Sequence, residues 1–309
     1  MDRDHGHLNK VAYWSAKFAC EMFPPGSAEA AAARDWGYLA GLWHDLGKFA
    51  PEWQRYLAAK MDIHISDSVG RMDHSTAGAK FANELKPFGE LLAYVIAGHH
   101  AGLACGTTLF NERLVHREIA DWREAAEAAG VPLSLPIPMP PLSRTDATST
   151  DLAFMVRYFY SCLVDADFLA TEAFMNPPQS ARRSVWPPDL LDRMIEALEN
   201  YFETRFSQSE STSVNQKREE VRQACAAASG EPPGFFSLTV PTGGGKTLSS
   251  LLFALKHARK NGHRRVIFVI PFTSIIQQNA DVFRSVFADL SKEIGQEIVL
   301  EHHSKFEPV

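Results

Sequence analysis

The chain has little cysteine: four in 309 residues, at Cys20, Cys105, Cys162 and Cys225, with no CxxC pair. That scatter offers neither a disulfide framework nor a zinc ribbon. Long hydrophobic runs are missing too. No stretch of about 18 apolar residues occurs, and Met1-Asp2-Arg3-Asp4-His5 is polar and acidic, which argues against membrane spanning and secretion. Excess positive charge is absent, the net charge being -6, so a general nucleic-acid coat is excluded while a local basic groove is not. No repeat at a period of roughly 20 to 50 residues is evident. The remaining composition, 45% hydrophobic and 22% charged, is that of a globular protein expected in the cytoplasm, and the length suits two domains at about 150 residues each.

Leu8, Val11, Ala12, Phe18, Ala19 and Met22 follow a helical rhythm that Pro24-Pro25-Gly26 stops. Further helices are predicted from Ala28 to Leu46, Pro51 to Lys60, His74 to Leu85, Phe88 to Ala97, Leu109 to Ala129, Leu152 to Phe174 and Leu190 to Phe206. Ile63 to Asp73 reads as irregular. Pro132, Pro136, Pro138, Pro140 and Pro141 make Val131 to Thr150 a long loop. A serine-rich stretch, 207–214, is the linker candidate. Beyond it, strands at Phe235 to Val240, Arg265 to Ile270 and Ile298 to Leu300 are predicted to alternate with helices at Gln216 to Ala228, Leu248 to Lys260 and Ser274 to Leu290. The expected organisation is an all-α domain over 1–206, a linker over 207–214 and part of a parallel α/β lobe over 215–309.

The all-α part places histidines and aspartates at or near predicted helix ends: His7, His44, Asp45, His74, His99, His100 and Asp167. Leu39, Leu42, Trp43 and Leu46 can bury one face of a helix while His44 and Asp45 leave it, with Gly47 expected to terminate that helix in a left-handed conformation. Five imidazoles and two carboxylates exceed what one tetrahedral zinc uses, so two ions about 3.5 to 4 Å apart are expected, bridged by Asp45. Nitrogen and oxygen donors without thiolate suit Mn, Fe, Co or Ni. Such a pair lowers the pKa of water and offsets charge on a phosphoryl oxygen, which points to phosphoester hydrolysis. Lys48, one turn on, is a candidate to meet the scissile phosphate or else a solvated lysine at a helix end. Asp165 and Asp167 point about 200° apart on a helix, so only one faces the ions; Asp167 is preferred. Arg113, Arg117 and Arg123 are candidates for a DNA path.

Val240-Pro241-Thr242-Gly243-Gly244-Gly245-Lys246-Thr247 stands between a predicted strand and a helix, the context of a phosphate-binding loop. Thr242, Gly243, Gly244, Gly245, Lys246 and Thr247 are the candidate ATP-binding residues: backbone N–H groups wrap phosphates, Lys246 reaches the terminal ones and Thr247 holds Mg. Lys256, Arg259, Lys260, Arg264 and Arg265 form a basic cluster that reads as a phosphate contact or a solvated helix end.

With these residues in place the first domain resembles the HD superfamily of metal-dependent phosphohydrolases. His7 followed by Leu8 and Val11, His44-Asp45-Leu46-Gly47-Lys48, His74-Ser75, His99-His100 and Val164-Asp165-Ala166-Asp167 are similar to the nuclease domain of the CRISPR-associated nuclease-helicase of type I systems. The phosphate loop is similar to motif I of the superfamily-two helicase that follows that domain, and Val269-Ile270-Pro271-Phe272-Thr273 to the next motif. The resemblance implies a nuclease of antiviral defence in a prokaryotic cytoplasm. It would cut the displaced single-stranded DNA of an RNA-guided R-loop beside a Cascade-type surveillance complex, with ATP and Mg serving the full-length helicase. No Asp-Glu-x-His and no second lobe follow, so this stretch is expected to be a fragment without efficient ATPase or helicase activity. The alternative is an HD phosphohydrolase of small nucleotides.

Overall fold

The computed structural model describes residues 6–61, 73–142, 147–181, 186–207 and 212–303. The chain divides into two compact units between 184 and 185.

The first unit is helical: α1 (Gly6–Cys20), α2 (Ala28–Trp43), a 3-10 turn (Leu46–Phe49), α3 (Pro51–Met61), α4 (Ser75–Glu84), α5 (Gly89–Gly98), a π turn (Thr108–Val115), α6 (Arg123–Ala128), α7 (Ser149–Met175) and α8 (Pro177–Ala181). Ser27 caps α2 by accepting the Ala30 N–H at 3.0 Å, and Thr148 with Asp151 forms a capping box for α7. α1 and α2 lie unusually close because small residues meet there: a Cβ on Gly41 would stand 2.5 Å from the Ala12 Cα. α7 packs against α1, α2 and α5. Trp36, Trp43, Phe159, Leu42, Leu92 and Ile96 are fully buried in the resulting core, each worth about 1.5–3 kcal/mol in the transfer of its surface from water.

One expectation is kept with added detail and one changes. The proline-rich loop is a strap: the Trp36 and Trp43 indole N–H groups donate to Pro138 and Pro132 carbonyls, both at 3.1 Å. The helix expected from Leu109 to Ala129 breaks in two. Lys80 donates to the Arg117 carbonyl at 2.7 Å from a distant segment, and the Asp121 carboxylate accepts the Arg123 N–H at 3.2 Å locally, so side-chain bonds replace helical ones until α6 begins.

The second unit holds α9 (Leu190–Ser207), α10 (Ser213–Ala228), α11 (Lys246–Asn261) and α12 (Thr273–Ile294). Ile195 and Leu198 of α9 join Leu251, Leu252, Leu255, Phe283, Val286 and Phe287 in one core. Helix α9 therefore packs in this unit, although the sequence reading attached it to 1–206. The expected α/β order of segments is kept, but among the described residues no strand forms. Phe235 to Val240, Arg265 to Ile270 and Ile298 to Leu300 run without ladder partners, leaving Phe235, Ile267, Val269 and Leu300 exposed. An apolar run becomes a strand only when a neighbouring strand takes its backbone groups on at least one edge, and periodicity does not supply that neighbour. Residues 63–72, read as irregular, and 208–211 of the expected linker lie outside the described residues.

Candidate metal centre

Helix ends deliver most of the chemistry. His7 stands in the first turn of α1, His44 directly follows α2, Asp45 opens the 3-10 turn, His74 precedes α4, and His99 and His100 follow α5, while Asp167 projects from within α7. Gly47 does not act as expected. α2 already ends at Trp43, and Gly47 lies buried inside the 3-10 turn without a left-handed backbone. Its N–H donates to the His74 carbonyl at 3.2 Å, and a Cβ there would collide with the His74 backbone. The glycine is needed for this approach, which sets His74 beside Asp45.

Asp45 is the hub, 2% exposed. Its Oδ2 faces His44 Nε2 at 3.1 Å, His7 Nε2 at 3.7 Å and Lys48 Nζ at 2.5 Å. Its Oδ1 faces His74 Nε2 at 3.2 Å and His99 Nε2 at 3.6 Å. Asp167 Oδ1 stands 3.1 Å from His7 Nε2 and 3.8 Å from His44 Nε2, and His100 Nε2 lies 2.8 Å from His74 Nε2. Asp165 is exposed, on the other side of α7. Three overlapping donor groups result, Asp45-His74-His99-His100, His7-His44-Asp45 and His44-His99-Asp167, with the donor atoms of each within 4.8 Å of one another.

Hydrogen bonds fix how the rings point. The Nδ1 atoms of His44 and His99 lie 2.7 Å from the Gly41 and Ile96 carbonyls, so Nδ1 carries the donated proton and Nε2 is turned inward. His44 Nε2, His99 Nε2 and both Asp45 oxygens are buried without a hydrogen-bond partner. Buried polar atoms are rarely left so, and divalent cations held among them would satisfy all four. Burial opposes protonation of His44, but the Asp45 and Asp167 carboxylates prevail and lift its pKa to about 9. Burial drives His74 down to about 4, helped by Lys48, His100 and His99, and lowers His100 too. Burial would raise Asp45 and Asp167; His44 and Lys48 hold the first well below the carboxylate range, and His44 and His7 do the same for the second. Five nitrogen donors around two ionised carboxylates fit divalent transition ions.

Trp53 packs against this centre unannounced by any motif, its ring tilted and 4.5 Å from that of His74. The arginines expected on a DNA path are engaged elsewhere. Arg113 turns inward to Ser75, Thr76 and Ala97, Arg117 pairs with Asp73 at 2.5 Å, and Arg123 pairs with Glu84 at 3.2 Å while lying over Phe81 and Trp122.

In the second unit the phosphate-loop candidates open α11. Gly243 and Gly245 have φ of +83° and +82°, conformations that need glycine, and Lys246 is exposed at the helix start. Arg218 of α10 donates to the Gly243 carbonyl at 2.8 Å. Three members of the basic cluster are occupied: Lys256 pairs with Glu199 at 2.6 Å, Arg259 with Asp192 at 2.5 Å, and Lys260 bonds the Gly230 carbonyl.

Residues 8–152 match the family model described as Cas3, HD domain, and residues 212–307 the model described as type III restriction enzyme, res subunit. No curated protein matches the chain significantly. His44, Asp45, His74, His99 and His100 lie inside the first match; His7 and Asp167 fall outside it. The phosphate loop lies inside the second.

Proposed function

We propose that this chain, an HD nuclease domain followed by part of a helicase-type lobe, cuts single-stranded DNA by metal-dependent phosphodiester hydrolysis. The observation that carries this reading is the two-sided Asp45, whose Oδ2 looks toward His7 and His44 while Oδ1 looks toward His74 and His99. His7, His44, Asp45 and Asp167 would hold one divalent ion, and Asp45, His74, His99 and His100 a second, of Mn, Fe, Co or Ni. Bound there, such ions acidify water and offset the charge that gathers on phosphoryl oxygens.

The chain's own groups do the rest. Asp45 is kept ionised by His44 and Lys48, so it is ready to bridge at neutral pH. His7 and His100 lie at the solvent side of the cluster, where the substrate phosphate enters. Lys48, about one-third exposed, forms an ion pair with Asp45, and its ammonium carries three donors, available to a phosphate oxygen. In the second unit Thr242 to Thr247 would cradle the phosphates of ATP with Mg. The biological setting is the strand displaced when an RNA-guided surveillance complex of the Cascade type opens its target.

The test is cleavage of labelled single-stranded DNA by protein loaded with Mn, Co or Ni, beside duplex DNA and nucleoside triphosphates. Single-strand cutting that disappears in His44→Ala and needs no ATP is expected. Triphosphate turnover without DNA cutting would replace this reading with that of a small-nucleotide phosphohydrolase.

A further inference from the structure

Arg113 hydrogen-bonds to both of the separate segments that carry His74 and His99. Its guanidinium donates from Nη2 to Ser75 Oγ at 2.7 Å and Thr76 Oγ1 at 3.0 Å, from Nε to Thr76 Oγ1 at 3.2 Å, and from Nη1 to the Ala97 carbonyl at 2.5 Å. Ser75 and Thr76 immediately follow His74; Ala97 lies two residues before His99. Asp73 completes the unit. It accepts the Ser75 and Thr76 N–H groups at 3.0 and 3.1 Å and lies 3.6 Å from Arg113. Arg113 is 15% exposed, too enclosed to meet a strand of DNA. It is carried on the Thr108–Val115 π turn, closed by the His116 N–H to Asn111 carbonyl bond at 3.3 Å. Such wide turns are rare and concentrate near functional sites.

We propose, resting on the two-ion reading above, that Arg113 is a positioning residue for the Asp45-His74-His99-His100 half of the centre. It touches none of the donor atoms. It fixes the distance between the chain segments that carry them, and none of its hydrogen bonds reaches α1, α2 or α7, the helices of the His7-His44-Asp167 half. Only a planar, multiply donating cation spans Ser75, Thr76 and Ala97 together, so lysine retains the charge but not the span. The two halves of the centre are therefore separable by substitution at a residue that binds neither ion.

The experiment titrates Mn2+ into this chain and its Arg113→Lys and Arg113→Met variants. Calorimetry reads each equivalent, electron paramagnetic resonance reads the spin-coupled pair, and circular dichroism checks the fold. Expected in Arg113→Met is one equivalent bound as in wild type and one weakened about 10- to 100-fold, with the coupled signal lost and Arg113→Lys intermediate. Both equivalents weakening alike, or neither changing, would overturn the positioning role while leaving the two-ion reading intact. Should Arg113→Met not fold, Thr76→Val, which removes the acceptor of two of the bonds, carries the same expectation and the same refutation. A wild-type protein that binds fewer than two ions would instead overturn the reading on which the role rests.

Discussion

Replacing Gly41 by alanine probes how helix packing builds the donor cluster. The new Cβ would meet backbone only: Ala12 Cα at 2.5 Å, Ala12 N at 2.6 Å and the Val11 carbonyl carbon at 2.7 Å. No side chain can rotate away, so reaching an ordinary 3.4 Å contact requires α1 and α2 to part by nearly 1 Å. Alanine improves helix propensity by about 1 kcal/mol, whereas forced overpacking costs about 1–3 kcal/mol. A net loss of about 0–2 kcal/mol follows, a Tm lower by up to several degrees. The larger effect falls on the site. α1 carries His7, whose Nε2 lies 3.1 Å from Asp167, and donor distances are tolerated only within about 0.2 Å. Calorimetric Mn2+ titration should show at least one equivalent weakened tenfold or more. A variant with unchanged or raised Tm and wild-type metal binding would refute the reasoning.

Three further outcomes are expected. Because His44 must be neutral to bind a cation and its pKa in the metal-free centre is lifted to about 9, binding at pH 7.5 should release about one proton from it. Apparent affinity should then rise with pH and level off above 9, as calorimetry in buffers of different ionisation heat would show; an affinity independent of pH between 7 and 9 would contradict it. Cys105, exposed and lowered by its Thr108 hydrogen bonds, should alkylate first, while Cys162, pushed up to about 12 chiefly by burial, should stay unlabelled until unfolding, read by mass spectrometry. Leu198→Ala, at a fully buried position of the second core, should cost about 2–5 kcal/mol, seen as a lower urea midpoint with metal binding in the first unit unaltered.

The clustering of the candidate histidines and aspartates was legible because each sits on or beside a helix whose apolar rhythm is strong, so the chain presents them at predictable places. What the sequence hid is what depends on distant partners. Gly47 looks like a helix stop from its neighbours, but its reason lies in the His74 backbone. Arg113 looks like a surface cation, yet Ser75, Thr76 and Ala97 claim it across the fold. Helix α9 carries an apolar stripe that suits either unit, and only packing against Leu252 and Phe287 assigns it. Phe235 to Val240 has a strand's composition, but pairing is not a property of one segment.

Anomalous diffraction from crystals loaded with Mn2+ tests the heart of the matter. Two peaks are expected, one on each side of the Asp45 carboxylate, the first among His7, His44 and Asp167 and the second among His74, His99 and His100. A single peak, or peaks away from Asp45, would contradict a shared two-ion centre.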